Sequence, residues 1–238
     1  MPEAAGVPGA LAVTLTPLPA LRYRTKQEFV YQALRDAIMR CDLRPGERLV
    51  VDDLARLLEV SAIPVREALH RLQSEGLVKG IPHVGATVSP ISRGSIDEVF
   101  SVLEGLEIVA ARTAALRMTA ADAAALEEIS AAMDEALRRD RKEEWADLNS
   151  PFHLAISRLA AMPMLHQMTE RVLARWDRVR RFHFNGVLVP RIEQAQEEHR
   201  ALLLAMKQRD LEALERTVRQ HNRGALLAYT EYLHPAAG

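Results

Sequence analysis

Four side chains in the second half of the chain have the types and spacing to share one piece of chemistry. Asn149 and His153 stand four residues apart in LNSPFHLAI, so on a helix they occupy one face, a turn apart. His199 lies eleven residues before Asp210, and His221 eleven after it. If Asp210 marks the turn of an antiparallel helical hairpin, both histidines sit roughly 16 Å from that turn, level with each other, at about 1.5 Å per residue. Imidazoles brought together inside a helical bundle are ligands for a divalent metal. The alternative is three unrelated histidines, buried or on the surface, and spacing alone leaves both readings open. His166, His183 and His234 have no comparable spacing and are expected to be surface or hydrogen-bonded side chains.

Such a group needs long helices to hold it. From about residue 95 glycine and proline become sparse and helical periodicity takes over. SIDE offers a capping box for a helix of about 95–117, and TAAD opens another to about 139. Further helices are expected over 142–160, 164–184, 190–209 and 210–233, with Pro163 and Pro190 at starts and Asp210 as an N-cap.

The first hundred residues are punctuated differently. A helix over 25–40 carries Phe29, Val30, Ala33, Leu34, Ala37 and Ile38 on one face and is stopped by LRPGERL. Asp52 can cap a second, short helix, DLARLLE, and Ser61 can cap a third that runs to Gly76. Pro64 fits because it falls in the first turn, where backbone N–H groups have no helical partner. LVKGIPHVGATVSPI then reads as a small hairpin with a His-Val-Gly tip. Two short helices joined by a tight turn, followed by a hairpin, is a winged helix-turn-helix plan. Ala55, Val60 and Val65 would pack one helix on the other. Arg66, His70 and Arg71 would lie on or near the outer face, and Lys79 and His83 on the wing would reach phosphates or the minor groove. The alternative is a small helical interaction domain with no nucleic acid.

Composition agrees with two helical units. The chain has 238 residues, 48% hydrophobic and 5% aromatic. Residues 21–93 carry 12 Lys and Arg against 9 Asp and Glu, and residues 94–238 carry 19 against 22. The mild positive excess in the first part permits a polyanionic partner. The single cysteine, Cys41, excludes an internal disulfide and suits a reducing cytoplasm. No apolar run is long enough to span a bilayer, so no membrane role is expected. Residues 1–21, with Glu3, no basic leader and four prolines, read as a flexible tail.

The stretch LRDAIMRCDLRPGERLVVDDLARLLEVSAIPVREALHRLQSEGLVKGIPHVGATVSPIS resembles the DNA-binding domain of the GntR family of bacterial transcription regulators. LRPGERL, PVREAL, EGLV and a wing ending G-A-x-V carry the resemblance over residues 25–92. It implies a dimer on operator DNA, each recognition helix in a major groove. The DNA-facing residues are then Thr25, Ser61, Ile63, Arg66, His70, Arg71, Lys79, His83 and Gly85, with Arg66 matching the family's recognition-helix arginine. The chain departs from the family at Ala62 and Ile63, where a basic residue and a threonine are usual, at Cys41 for a glycine, and at Val84 for a wing arginine.

Residues 95–233 resemble the FCD effector-binding domain of the FadR-type branch of that family, through VFSVLEGLEIVAARTAA, LNSPFHLAI, EEHRALLLAMKQRDLEAL and VRQHNRGAL. The family pattern implies metal ligands at Asn149, His153, His199 and His221. Zinc is the first choice, with nickel or manganese as alternatives, and a small organic-acid metabolite completes the shell. Asn149 replaces the usual aspartate, and Leu103 stands where many members carry an effector-holding arginine. Arg112, Arg178 or Arg181 are the candidates to compensate. The expectation is a mainly α, two-domain, cytoplasmic dimer, with a tail over 1–21, a winged helix-turn-helix over 22–92, and a metal- and effector-binding bundle over 95–233. Its rivals are a helical metalloenzyme and a regulator for which the ion itself is the signal.

Overall fold

The computed structural model describes residues 25–81 and 85–233, leaving aside the side chains of Ile81 and Gly85. The expected tail over 1–21, His83 and Val84 of the wing, and His234 lie outside the described residues. The chain divides into two compact units, Met1–Pro90 and Ile91–Gly238.

In the first unit, α1 (Lys26–Met39) begins at Thr25, whose hydroxyl accepts a hydrogen bond from the Glu28 N–H at 3.1 Å. It ends at Cys41, which has a left-handed φ of 63°. Glycine adopts that conformation without a Cβ penalty, which is why a glycine would suit this position. The helix α2 (Val51–Leu57) starts one residue before Asp52, so Asp52 sits in its first turn rather than capping it. The turn between α2 and α3 (Ala62–Ser74) is a Schellman closure: Val60 N–H donates to Ala55 C=O at 3.0 Å, around a left-handed Glu59. Glu59→Gly should therefore stabilise the turn.

The wing is a three-stranded antiparallel sheet, not a two-stranded hairpin. Strand β1 (Arg48–Leu49) adds to β3 (Gly85–Val88), which pairs with β2 (Val78–Ile81), in the order β1-β3-β2. A two-residue strand has no periodicity to detect, and only the pairing of Arg48 with Thr87 and Leu49 with Ala86 creates it. Leu34, Leu49, Leu54, Val65 and Leu72, all fully buried, form the core of this unit.

The second unit is a bundle of α4 (Arg93–Arg117), α5 (Ala120–Arg138), α6 (Lys142–Leu159), α7 (Pro163–Phe182), α8 (Val189–Gln208) and α9 (Leu211–Leu233). Thr119 and Asp122 exchange backbone and side-chain hydrogen bonds as the TAAD capping box requires. The SIDE expectation shifts: α4 is capped three residues upstream of Ser95, by a reciprocal Ser92–Ser95 box. Pro163 stands in the first turn of α7 and Pro190 in the first turn of α8. A π-helical turn, Phe184–Leu188, joins α7 to α8 and lay outside any sequence expectation. The chain reverses at Arg209, with a left-handed φ of 55°, and Asp210 accepts from the Ala213 N–H at 2.9 Å to start α9. The two arms of this hairpin lie against each other, and α4 packs on α6, α7 and α9. Among the described residues no helix is long and apolar enough to cross a membrane.

Candidate functional site

His153 on α6, His199 on α8 and His221 on α9 converge, their ligating nitrogens all within 4.8 Å of one another. The His199 and His221 rings lie 4.8 Å apart, centroid to centroid, as expected for residues level in the hairpin. His153 lies 5.1 Å from the first ring and 5.4 Å from the second. Each of two histidines meets a buried carboxylate. His153 Nδ1 is 2.7 Å from Glu107 Oε1, and His221 Nδ1 is hydrogen-bonded to Glu198 Oε2 at 2.7 Å. With Nδ1 turned to a carboxylate, Nε2 of each is the nitrogen left for a cation, and the carboxylate fixes the orientation of the ring.

His199 is held differently. Its ring lies between two buried aromatics of α6, stacked on Trp145 at 5.7 Å and 4.9 Å from Phe152. Trp145 is itself pinned by its indole N–H donating to Gln196 Oε1 at 2.9 Å. His199 is 1% exposed, and among the described residues neither ring nitrogen has a hydrogen-bond partner. Leaving a buried polar atom unsatisfied costs about 1–3 kcal/mol. A divalent metal would take up such a nitrogen, so the three imidazoles fit one. In a tetrahedral zinc site, nitrogens about 2.05 Å from the ion lie about 3.4 Å apart, so the group needs small side-chain movements to close.

The electrostatics favour ligation. Burial, then the charges of His221 and His153, hold His199 well below its ordinary value, keeping it neutral. Burial also lowers His221, against the raising effect of its Glu198 hydrogen bond. For Glu107, burial works upward but is outweighed by His153, His221 and the Asn222 amide, which donates to Oε2 at 2.7 Å; the carboxyl ends below its usual range. Glu198 is likewise lowered against burial, by His221 and by Arg191, whose Nη2 donates to it at 2.8 and 3.0 Å.

A cavity of about 30 Å3 opens beside these histidines. Its lining includes Asn149, His153, Arg191, His221, Asn222 and Tyr229, with Phe100, Leu103, Leu173 and Trp176 on its apolar side. Asn149 is buried, and among the described residues its amide has no hydrogen-bond partner. Trp176 Nε1, Tyr229 Oη and Asn222 Oδ1 are also buried without partners. None of the three arginines expected to compensate for Leu103 lines this cavity. Arg112 is ion-paired to Glu215 in an open surface groove, and Arg181 reaches Asp147 at 3.3 Å. Arg178 is buried elsewhere on α7. The cavity's arginine is Arg191, which sequence reading missed. Its signal was there: seven residues, two helical turns, align Arg191 with Glu198 on α8. Gly224 admits it, since a Cβ there would come 2.7 Å from Arg191 Nη2.

In the first unit, α3 buries Pro64, Val65, Ala68, Leu69 and Leu72 and turns Ile63, Arg66, Glu67 and His70 to solvent. Among the described residues Arg66 and His70 have no side-chain partner. Arg71 does: it donates to Glu28 at 2.9 Å and lies 3.5 Å over the Tyr31 ring. It fastens α3 to α1, a role that residue spacing along α3 could not reveal. Ser61 stands at the N-cap position but makes no side-chain cap bond. Lys79 is exposed on β2, and Gly85 begins β3.

Residues 26–88 match the family described as bacterial regulatory proteins, gntR family, and residues 98–224, more than half of the chain, match the FCD domain. The chain belongs to the GntR family, with an FCD domain. This GntR protein is 31% identical over 170 residues to the HTH-type transcriptional regulator McbR of Escherichia coli K12, covering 71% of the chain and 77% of that relative. It is 29% identical over 192 residues to the HTH-type transcriptional repressor RspR of the same organism, covering 81% and 83%. The solved structure of E. coli McbR/YncC superposes with a TM-score of 0.70 at 26% identity, over 88% of this chain and all of that one. These relatives are transcriptional regulators, and the GntR protein described here is one too, not an enzyme.

Proposed function

We propose that this GntR regulator binds operator DNA as a dimer through α3 and the wing, and that a divalent metal and a small organic acid meet in its helical bundle. The observation that carries the bundle half is His199: a fully buried imidazole with both nitrogens unpartnered, facing two histidines whose other nitrogens are engaged by carboxylates. His153, His199 and His221 would hold the metal, with Asn149 as the fourth protein donor. A bound zinc ion is a Lewis acid that attracts carboxylate oxygens. Arg191, Trp176 Nε1 and Tyr229 Oη are the donors for the rest of the acid, in the role expected of the three arginines that lie elsewhere.

The cavity's size adds a condition. About 30 Å3 is room for an ion or a water and less than a multi-carbon acid needs. An acid effector must therefore push the cavity wall outward, and its differential affinity for the opened bundle is what would bias DNA binding. The same size favours a second reading, in which the metal alone is the signal.

One experiment separates them. Metal content is measured on the purified chain, then binding to DNA upstream of its own gene is titrated with zinc and with small hydroxy- and dicarboxylic acids. Acid should change DNA affinity only in metal-loaded protein, and less in Arg191→Lys. A response to zinc with no further response to any acid selects the ion-sensing reading. Protein that never takes up metal, or acids acting equally on His153→Ala, would sink the metal-dependent site.

A further inference from the structure

We propose that Ile63 reads a thymine through its C5-methyl group, at a base pair neighbouring the one contacted by Arg66. The proposal rests on the DNA-binding reading above and adds a sequence preference to it. Ile63 is 67% exposed in the first turn of α3, among the most exposed large apolar side chains of the described residues. It contributes nothing to the core of its unit, which α3 builds with Val65, Ala68, Leu69 and Leu72. Ile63 and Arg66 are three residues apart, so they project from one face, and Arg66 has no partner among the described residues. Ala62 beside them is small, and the Ser61 hydroxyl makes no cap bond, so short side chains flank Ile63 on this turn.

The chemistry of the groove selects the base. Among base edges in the major groove, the thymine methyl is the apolar group, and the others present donors and acceptors. Isoleucine can neither donate nor accept. Against a thymine it buries apolar surface on both sides. Against a cytosine it would leave the N4 amino group dehydrated and unpaired, which is unfavourable. Its branched Cβ leaves few rotamers to lose on contact, so the gain is not offset by much side-chain entropy.

The test uses the full chain and a duplex it selects from a randomised pool. Each thymine is replaced singly by deoxyuridine, which deletes the methyl and nothing else, and affinity is read by fluorescence anisotropy. At one thymine per half-site the replacement should weaken binding about fourfold, and about fifteenfold when made in both half-sites, the size expected for one buried methyl each. Ile63→Ala, harmless to folding at an exposed site, should bind the thymine and uracil duplexes equally, and Ile63→Val should keep part of the difference. If every uracil duplex binds as well as its parent, or Ile63→Ala keeps the full difference, the assignment is wrong while DNA binding stands. A pool that yields no sequence-specific duplex removes the assignment and the DNA-binding reading together.

Discussion

The outer face of α3 and the histidine cluster of the bundle treat polar side chains in opposite ways. On α3, Arg66, Glu67 and His70 are exposed, and among the described residues none has a side-chain partner. In the bundle, Glu107, Glu198, Gln196 and Asn222 are buried, and each is hydrogen-bonded or ion-paired. Solvated groups cost nothing while they wait for a partner, so a DNA-reading surface can be left bare. Buried groups must be satisfied by the fold, at about 1–3 kcal/mol for each failure. Unpartnered atoms therefore carry little information on α3 and a great deal in the bundle. There they include Trp176 Nε1 and Tyr229 Oη, which line the cavity, and the His199 nitrogens, which face the cavity-lining His153 and His221.

The sharpest way to break the contrast is to remove one group from each side. His199→Ala should lower metal affinity on the order of 100-fold or more, since it deletes a ligand where loss of a supporting group alone costs 10–100-fold. The variant should lose packing against Trp145 and Phe152 but no hydrogen bond, since the ring nitrogens have no partner among the described residues, so a melting curve run alongside separates loss of the ligand from loss of the fold. Arg66→Ala should weaken binding to the selected operator by about 1–3 kcal/mol and leave metal content unchanged. Chelator competition with elemental analysis reads the first arm and anisotropy the second. An Arg66→Ala protein stripped of metal would show that the two regions are not separable in this way.

A smaller effect sharpens the bundle half. Glu107→Gln keeps the shape but removes the charge beside His153 Nδ1, so metal should bind about 10–100-fold more weakly with every ligand still present. A change of less than about twofold would mean that Glu107 serves packing and the Asn222 bond, and not the metal.

The smallest effect is on stability. Burial holds His199 well below the ordinary histidine value of 6.5 and also lowers His183. Both hold a proton less readily in the folded chain than in the unfolded one, so protons are taken up on unfolding once the pH drops below 6.5. The unfolded chain then binds more protons, so stability is full above that value and is lost as pH falls toward the folded ones. Metal-free protein should melt roughly 2–4 °C lower at about pH 5.5 than at about pH 7.5. Circular dichroism checks this, and an unchanged or higher melting temperature at the lower pH contradicts it.

Much of the helical framework was legible along the chain, because capping is local. Thr25, the Thr119–Asp122 box and Asp210 each act within three residues of themselves. The level placement of His199 and His221 was legible for a related reason: a tight turn converts equal sequence distance into equal height. The cap at Ser92 was missed because SIDE imitates a capping box three residues downstream, and β1 because its two residues carry no pattern. Arg71 was legible as an outer-face residue but not as a clamp, since Glu28 and Tyr31 lie some forty residues earlier.

Residue order alone settled which side chains could share a helix face, where helices begin, and that two units differ in character. Those are consequences of backbone geometry within a few residues, and periodicity reports them directly. It could not settle which arginine faces the cavity, which carboxylate meets which histidine, or that Leu103 borders the cavity. Those depend on how α4, α6, α8 and α9 rotate against one another, and that rotation is set by the packing of the whole core, by Trp145 and Phe152 against His199 and by a glycine at 224 that lets Arg191 lie against α9.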